Sequence, residues 1–126
     1  MTENRRRFSR IHFVTDANLQ IRESWYEAYV LDLSLKGALV QISQPPKGRL
    51  AAAAKIQFRL EGSNILLEFR GKLVHREDDR LGYSFTEMDL DSMRHLRKLL
   101  EYNLGDPAQL KREVRTLCDE LTQTAD

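Results

Sequence analysis

The sequence predicts an α+β fold: a six-stranded antiparallel β-barrel, two C-terminal helices after it, and a flexible arginine-rich N-terminal arm before it. Three observations predict this. Period-two alternation runs through residues 11–88, the period lengthens to about 3.6 from residue 89, and arginines crowd the first ten positions. Short strands first and helices afterwards suit a small barrel with helices against it. The expected division is an arm over residues 1–10 and a single domain over 11–126, with the barrel at about 11–88 and the helices at about 90–123.

Residues 11–21 mix apolar and polar side chains, and 25–33 are rich in aromatic and β-branched types, so both read as strands. Residues 32–36 extend that parity, and Gly37 ends the run. Gln44-Pro45-Pro46-Lys47-Gly48 is a loop, and the run from Ala51 to Ala54 can open either a strand or a helical turn. In 55–61, Ile56, Phe58 and Leu60 take one face and charges the other, the pattern of a half-buried sheet. Gly62-Ser63-Asn64 turns that strand into the next, where Ile65, Leu67, Phe69, Gly71, Leu73 and His75 share a parity. A final strand at 81–85 follows the charged turn Glu77-Asp78-Asp79-Arg80.

In the first helix Met93, Leu96, Leu99, Leu100 and Leu104 form a stripe, with Asp91 as the expected N-cap and Gly105 as the C′ residue. Asp106-Pro107 starts a second helix, with Leu110, Val114, Leu117 and Leu121 on its apolar side. Cys118, on an apolar helical stripe, reads as a small core residue, and Trp25 as core or barrel wall.

Composition bounds the function. A chain of 126 residues, 41% hydrophobic and 31% charged, is globular, and no stretch is long and apolar enough for a membrane span. The basic start leads into no apolar segment of a secretory signal, so the cytoplasm is the expected location. One cysteine excludes an internal disulfide, and His12, His75 and His95 are too scattered for a metal site. No phosphate-cradling glycine loop or nucleophile constellation is present, so no enzymatic activity and no cofactor are expected. The net charge of +1 hides an asymmetry: the first ten residues set four arginines against Glu3, while the remainder has 16 basic and 18 acidic residues. A positive patch on a near-neutral body suits a discrete anionic partner.

Two segments carry the chemistry. In Arg5-Arg6-Arg7-Phe8-Ser9-Arg10 four guanidiniums can grip phosphates bidentately and stack on bases. The first ten residues hold little apolar surface beyond Phe8, so the arm is expected to be mobile until ligand orders it. In Asp32-Leu33-Ser34-Leu35-Lys36-Gly37, Asp32 accepts, Ser34 accepts or donates, and a freed amide at Gly37 can complete a set that matches a guanine edge. An ordinary Asx or ST turn accounts for the same residues equally well on local grounds.

Together, Arg6-Arg7-Phe8-Ser9-Arg10 and Asp32-Leu33-Ser34-Leu35-Lys36-Gly37 resemble the PilZ domain family, whose signature is Arg-x-x-x-Arg followed some twenty residues later by Asp or Asn-x-Ser-x-x-Gly. Asp89-Leu90-Asp91-Ser92 and Asn103-Leu104-Gly105-Asp106 are also similar to a stand-alone member. The resemblance implies a six-stranded barrel that binds cyclic di-GMP, with Arg6 and Arg10 on phosphates and guanines and Asp32, Ser34 and Gly37 on a guanine. It also implies, through the extra cations Arg5 and Arg7, an intercalated pair of ligands. Where such members carry a tryptophan platform near the end of the fifth strand, this chain has His75, which offers less stacking area or is simply a strand-end histidine. The expected function is therefore a monomeric cyclic di-GMP receptor that alters its surface for an unidentified downstream protein. The alternative is a nucleic-acid-binding module using the basic arm, which the near-neutral body disfavours.

Overall fold

The computed structural model describes residues 8–60 and 62–124, with the side chains of residues 107 and 121–124 excepted. Six strands run in chain order as β1 (Ile11–Ile21), β2 (Ser24–Leu33), β3 (Gly37–Ile42), β4 (Ala53–Arg59), β5 (Leu66–Glu77) and β6 (Arg80–Met88). They close into an antiparallel barrel in the order β1-β2-β3-β6-β5-β4. Closure removes the exposed strand edges that an open sheet would present. Helices α1 (Leu90–Leu104) and α2 (Pro107–Thr124) follow.

Strand alternation fills the interior. Leu19, Val30, Val40, Ile42, Ile56, Leu67 and Leu81 are fully buried, and each such side chain is worth about 1.5–3 kcal/mol of transfer free energy. A run of rings, Phe13 to Phe58 to Phe69 to Phe85, with centroids 6.1, 5.9 and 4.6 Å apart, lines the β4–β5–β6 side. Leu96, Leu100, Leu110 and Leu117 bring the two helices onto this core. Helix α1 lies against β5, where the Glu68 amide donates to Ser92 Oγ at 3.0 Å.

Several expectations change. The N-cap of α1 is Asp89, not Asp91: Asp89 is extended, and its carboxylate accepts the Ser92 amide at 2.7 Å, which places Asp91 in the first turn. Gly105 at φ 69° ends α1 as expected, and Asp106 caps α2 by accepting the Gln109 amide at 3.2 Å. Gly37 opens β3 instead of closing a run, and Ala53 begins β4. Trp25 is 49% exposed because positions 26, 28 and 30 of β2 take the inward parity. Cys118 is exposed, since the buried stripe of α2 passes through Leu110, Glu113 and Leu117. No helix among the described residues is long and apolar enough to cross a membrane.

Candidate ligand-binding site

The β2–β3 turn is held by Ser34. Its Oγ accepts the amides of Lys36 at 3.1 Å and Gly37 at 3.2 Å, while its own amide donates to Gly37 O at 2.9 Å. This is an ST turn, and it buries Ser34 instead of leaving it outward with Asp32. The Gly37 amide is therefore engaged within the turn. Glycine at 37 answers to close approach: a Cβ there would sit 2.2 Å from the Tyr83 carbonyl oxygen on β6.

Bulges aim the flanking side chains. Val30 pairs with inward Val40, and the register then slips so that Asp32 pairs with outward Leu39. In β5 the same device acts between Leu73, opposite buried Tyr83, and His75, opposite Gly82. The shared parity of Leu73 and His75 is broken there, and His75 turns outward with its side chain 61% exposed. Leu39 in turn faces Gly82 across β3 and β6. One outward row thus runs Asp32, Leu39, Gly82, His75 over four adjacent strands, spanning roughly 14 Å at the usual strand spacing. His12 of β1 extends it, with Nδ1 3.1 Å from Asp32 Oδ1.

The N-terminal segment lies beside this row. Phe8 belongs to the core cluster, so packed structure reaches three residues before the expected domain start at 11. Ser9 is tied to α2: its amide donates to Glu113 Oε1 at 3.0 Å and its hydroxyl donates to Glu113 Oε2. Arg10 is exposed.

These elements border an open cleft of about 340 Å³, at the lower end of small-molecule sites. Of the residues singled out from sequence, it gathers Arg10, Asp32, Ser34, Gly37 and His75. Arg5, Arg6 and Arg7 lie outside the described residues. Sequence reasoning missed Leu39, Val74 and Gly82, which form the cleft wall, and the inner residue Tyr83. A glycine inside a strand such as Gly82 was the available signal. Burial pushes the Tyr83 hydroxyl up to about 12, with the Arg76 charge pulling the other way, and its oxygen has no hydrogen-bond partner among the described residues. No group of His, Cys, Asp and Glu among the described residues could hold a metal ion.

A closed six-stranded barrel whose outer wall carries a cleft edged by arginine, aspartate and histidine defines a small ligand-cleft barrel domain. A PilZ domain profile matches residues 4–102, and the chain belongs to the PilZ domain family. Among solved structures it is similar to the PilZ domain of CeSA from a cellulose-synthesising bacterium, at 19% identity and TM-score 0.55, covering 77% of this chain and 96% of that one. The Bacillus subtilis inhibitor of motility MotI/DgrA matches at 15% identity and TM-score 0.61, over 79% of this chain and 49% of that one. Escherichia coli YcgR, solved in complex with c-di-GMP, matches at 22% identity and TM-score 0.54, over 93% of this chain and 50% of that one. This chain therefore spans about half the length of the last two. At such identities the likeness is one of fold.

Proposed function

We propose that this protein is a non-catalytic receptor for cyclic di-GMP. The observation that carries the reading is convergence: Arg10, Asp32, Ser34, Gly37 and His75, from separate stretches of the chain, border one cleft. An arginine, an acceptor carboxylate and a planar imidazole on one wall suit a ligand that combines phosphates with guanine bases. Family membership and the YcgR complex support the same ligand. In this reading Arg5, Arg6 and Arg7 add cationic reach for the four phosphates of an intercalated pair. Bound phosphates then add negative charge to the cleft mouth, and that change of surface is what a downstream protein reads. The receptor acts as a cytoplasmic monomer.

Isothermal titration tests this. Cyclic di-GMP is expected to bind saturably with two ligands per chain, whereas mixed-sequence duplex DNA gives no steeply salt-dependent binding at two salt concentrations. DNA binding without cyclic di-GMP binding would overturn the reading in favour of a nucleic-acid module.

A further inference from the structure

Helix α2 lies beyond residues 4–102, the part of the chain matched to the family, yet it holds both segments that border the cleft. Glu113 falls on its apolar side with Leu110, Val114 and Leu117, and it is 3% exposed. A carboxylate taken out of water there must be met by donors. Three among the described residues converge on it: the Ser9 amide at 3.0 Å, the Ser9 hydroxyl, and Gln109 Nε2 at 2.7 Å. Ser9 is thus held by backbone and side chain together, and its two neighbours, Phe8 and Arg10, both line the cleft. Two helical turns further on, Glu120 Oε1 is 3.1 Å from Lys36 Nζ in the β2–β3 turn.

We infer that Glu113 is a positioning residue of the ligand site, which fixes Ser9 so that Arg10 is presented to the cleft before ligand arrives. The inference rests on the cyclic di-GMP reading above. Fixing Ser9 at two atoms settles the backbone on either side of it, so less ordering remains when a phosphate is gripped. Glu113 acts through Ser9 and Arg10.

The test is titration with cyclic di-GMP of the full chain, as wild type, Glu113→Ala, Glu113→Gln, Arg10→Ala and the Glu113→Ala/Arg10→Ala pair. Glu113→Ala is expected to weaken binding about tenfold, with Glu113→Gln in between because it keeps one acceptor oxygen for Ser9. In the Arg10→Ala background the loss should shrink to about twofold or less, since a group that acts through Arg10 has nothing left to position. A general loss of stability would lower affinity equally in both backgrounds. Hydrogen exchange of the Ser9 amide in the ligand-free protein should accelerate in Glu113→Ala. Unchanged or tighter binding in folded Glu113→Ala, or an equal loss in both backgrounds, overturns the inference while leaving the receptor reading intact. A wild type that takes no cyclic di-GMP overturns the receptor reading itself. Should Glu113→Ala fail to fold, Glu113→Gln alone and with Arg10→Ala carries the same comparison.

Discussion

Asp32 and His75 stand on one outward row of the barrel, at either end of Leu39 and Gly82, and each reaches it only because a bulge precedes it. Without the slip after Val30, Asp32 would follow Val30 into the core; without the slip after Leu73, His75 would follow Leu73. Two local irregularities therefore make one cleft wall.

That wall can be tested from both ends. Arg10→Ala and, by the sequence motif, Arg6→Ala should each weaken cyclic di-GMP binding about tenfold or more, the worth of one charge-assisted contact. Asp32→Ala should weaken it as well. His75→Ala should weaken it less, and His75→Trp should tighten it through a larger stacking face. Titration calorimetry with circular dichroism as the folding control reads all four positions, and unchanged affinity in both Asp32→Ala and His75→Ala would remove this wall from the site.

Ser34→Ala leaves two turn amides without their side-chain acceptor. The expected result is a loss of about 1–3 kcal/mol in denaturant unfolding, accompanied by weaker ligand binding as the turn loosens. Full stability in the variant would mean the hydroxyl does not hold the turn.

Gly37→Ala places a methyl group against a backbone carbonyl that cannot swing aside. Strands β3 and β6 must then separate locally, at a cost of about 1–3 kcal/mol. A lowered melting temperature checks this, and Gly48→Ala cannot serve as the control because Gly48 has a positive φ of 87°.

Tyr83→Phe removes a buried hydroxyl that has no partner among the described residues, so the variant should be as stable as wild type or up to about 1–3 kcal/mol more stable. Because burial raises the folded hydroxyl from 10.0 to about 12, the unfolded chain loses its proton first as pH rises. The Tyr83 contribution is complete below pH 10.0 and is lost as pH rises toward about 12. Urea midpoints of both proteins across that window should show a steeper alkaline decline in wild type. Parallel declines would contradict the raised value.

Sequence by itself determined the barrel-then-helices order, the two glycine- and aspartate-marked helix boundaries near residue 105, and the two segments that meet at the cleft. Periodicity and cap chemistry are local, so they survive in a bare string of residues. Tertiary structure alone decided the rest. A bulge adds one residue to one strand, and only the partner strand's register reveals it, which is why simple alternation puts His75 on the parity of Leu73 while the structure turns it outside. Alternation alone sets Ser34 outward with Asp32, but its oxygen is drawn back to the amides of its own turn, a choice that local sequence leaves open between strand and ST turn. The sequence leaves Trp25 open between core and barrel wall, and the apolar stripe of α2 suggests a core place for Cys118, yet the inward positions of β2 and α2 belong to Ala28, Val30, Leu110 and Leu117. The burial of Glu113 depends on Ser9, 104 residues away, and no local pattern carries information about a partner at that distance.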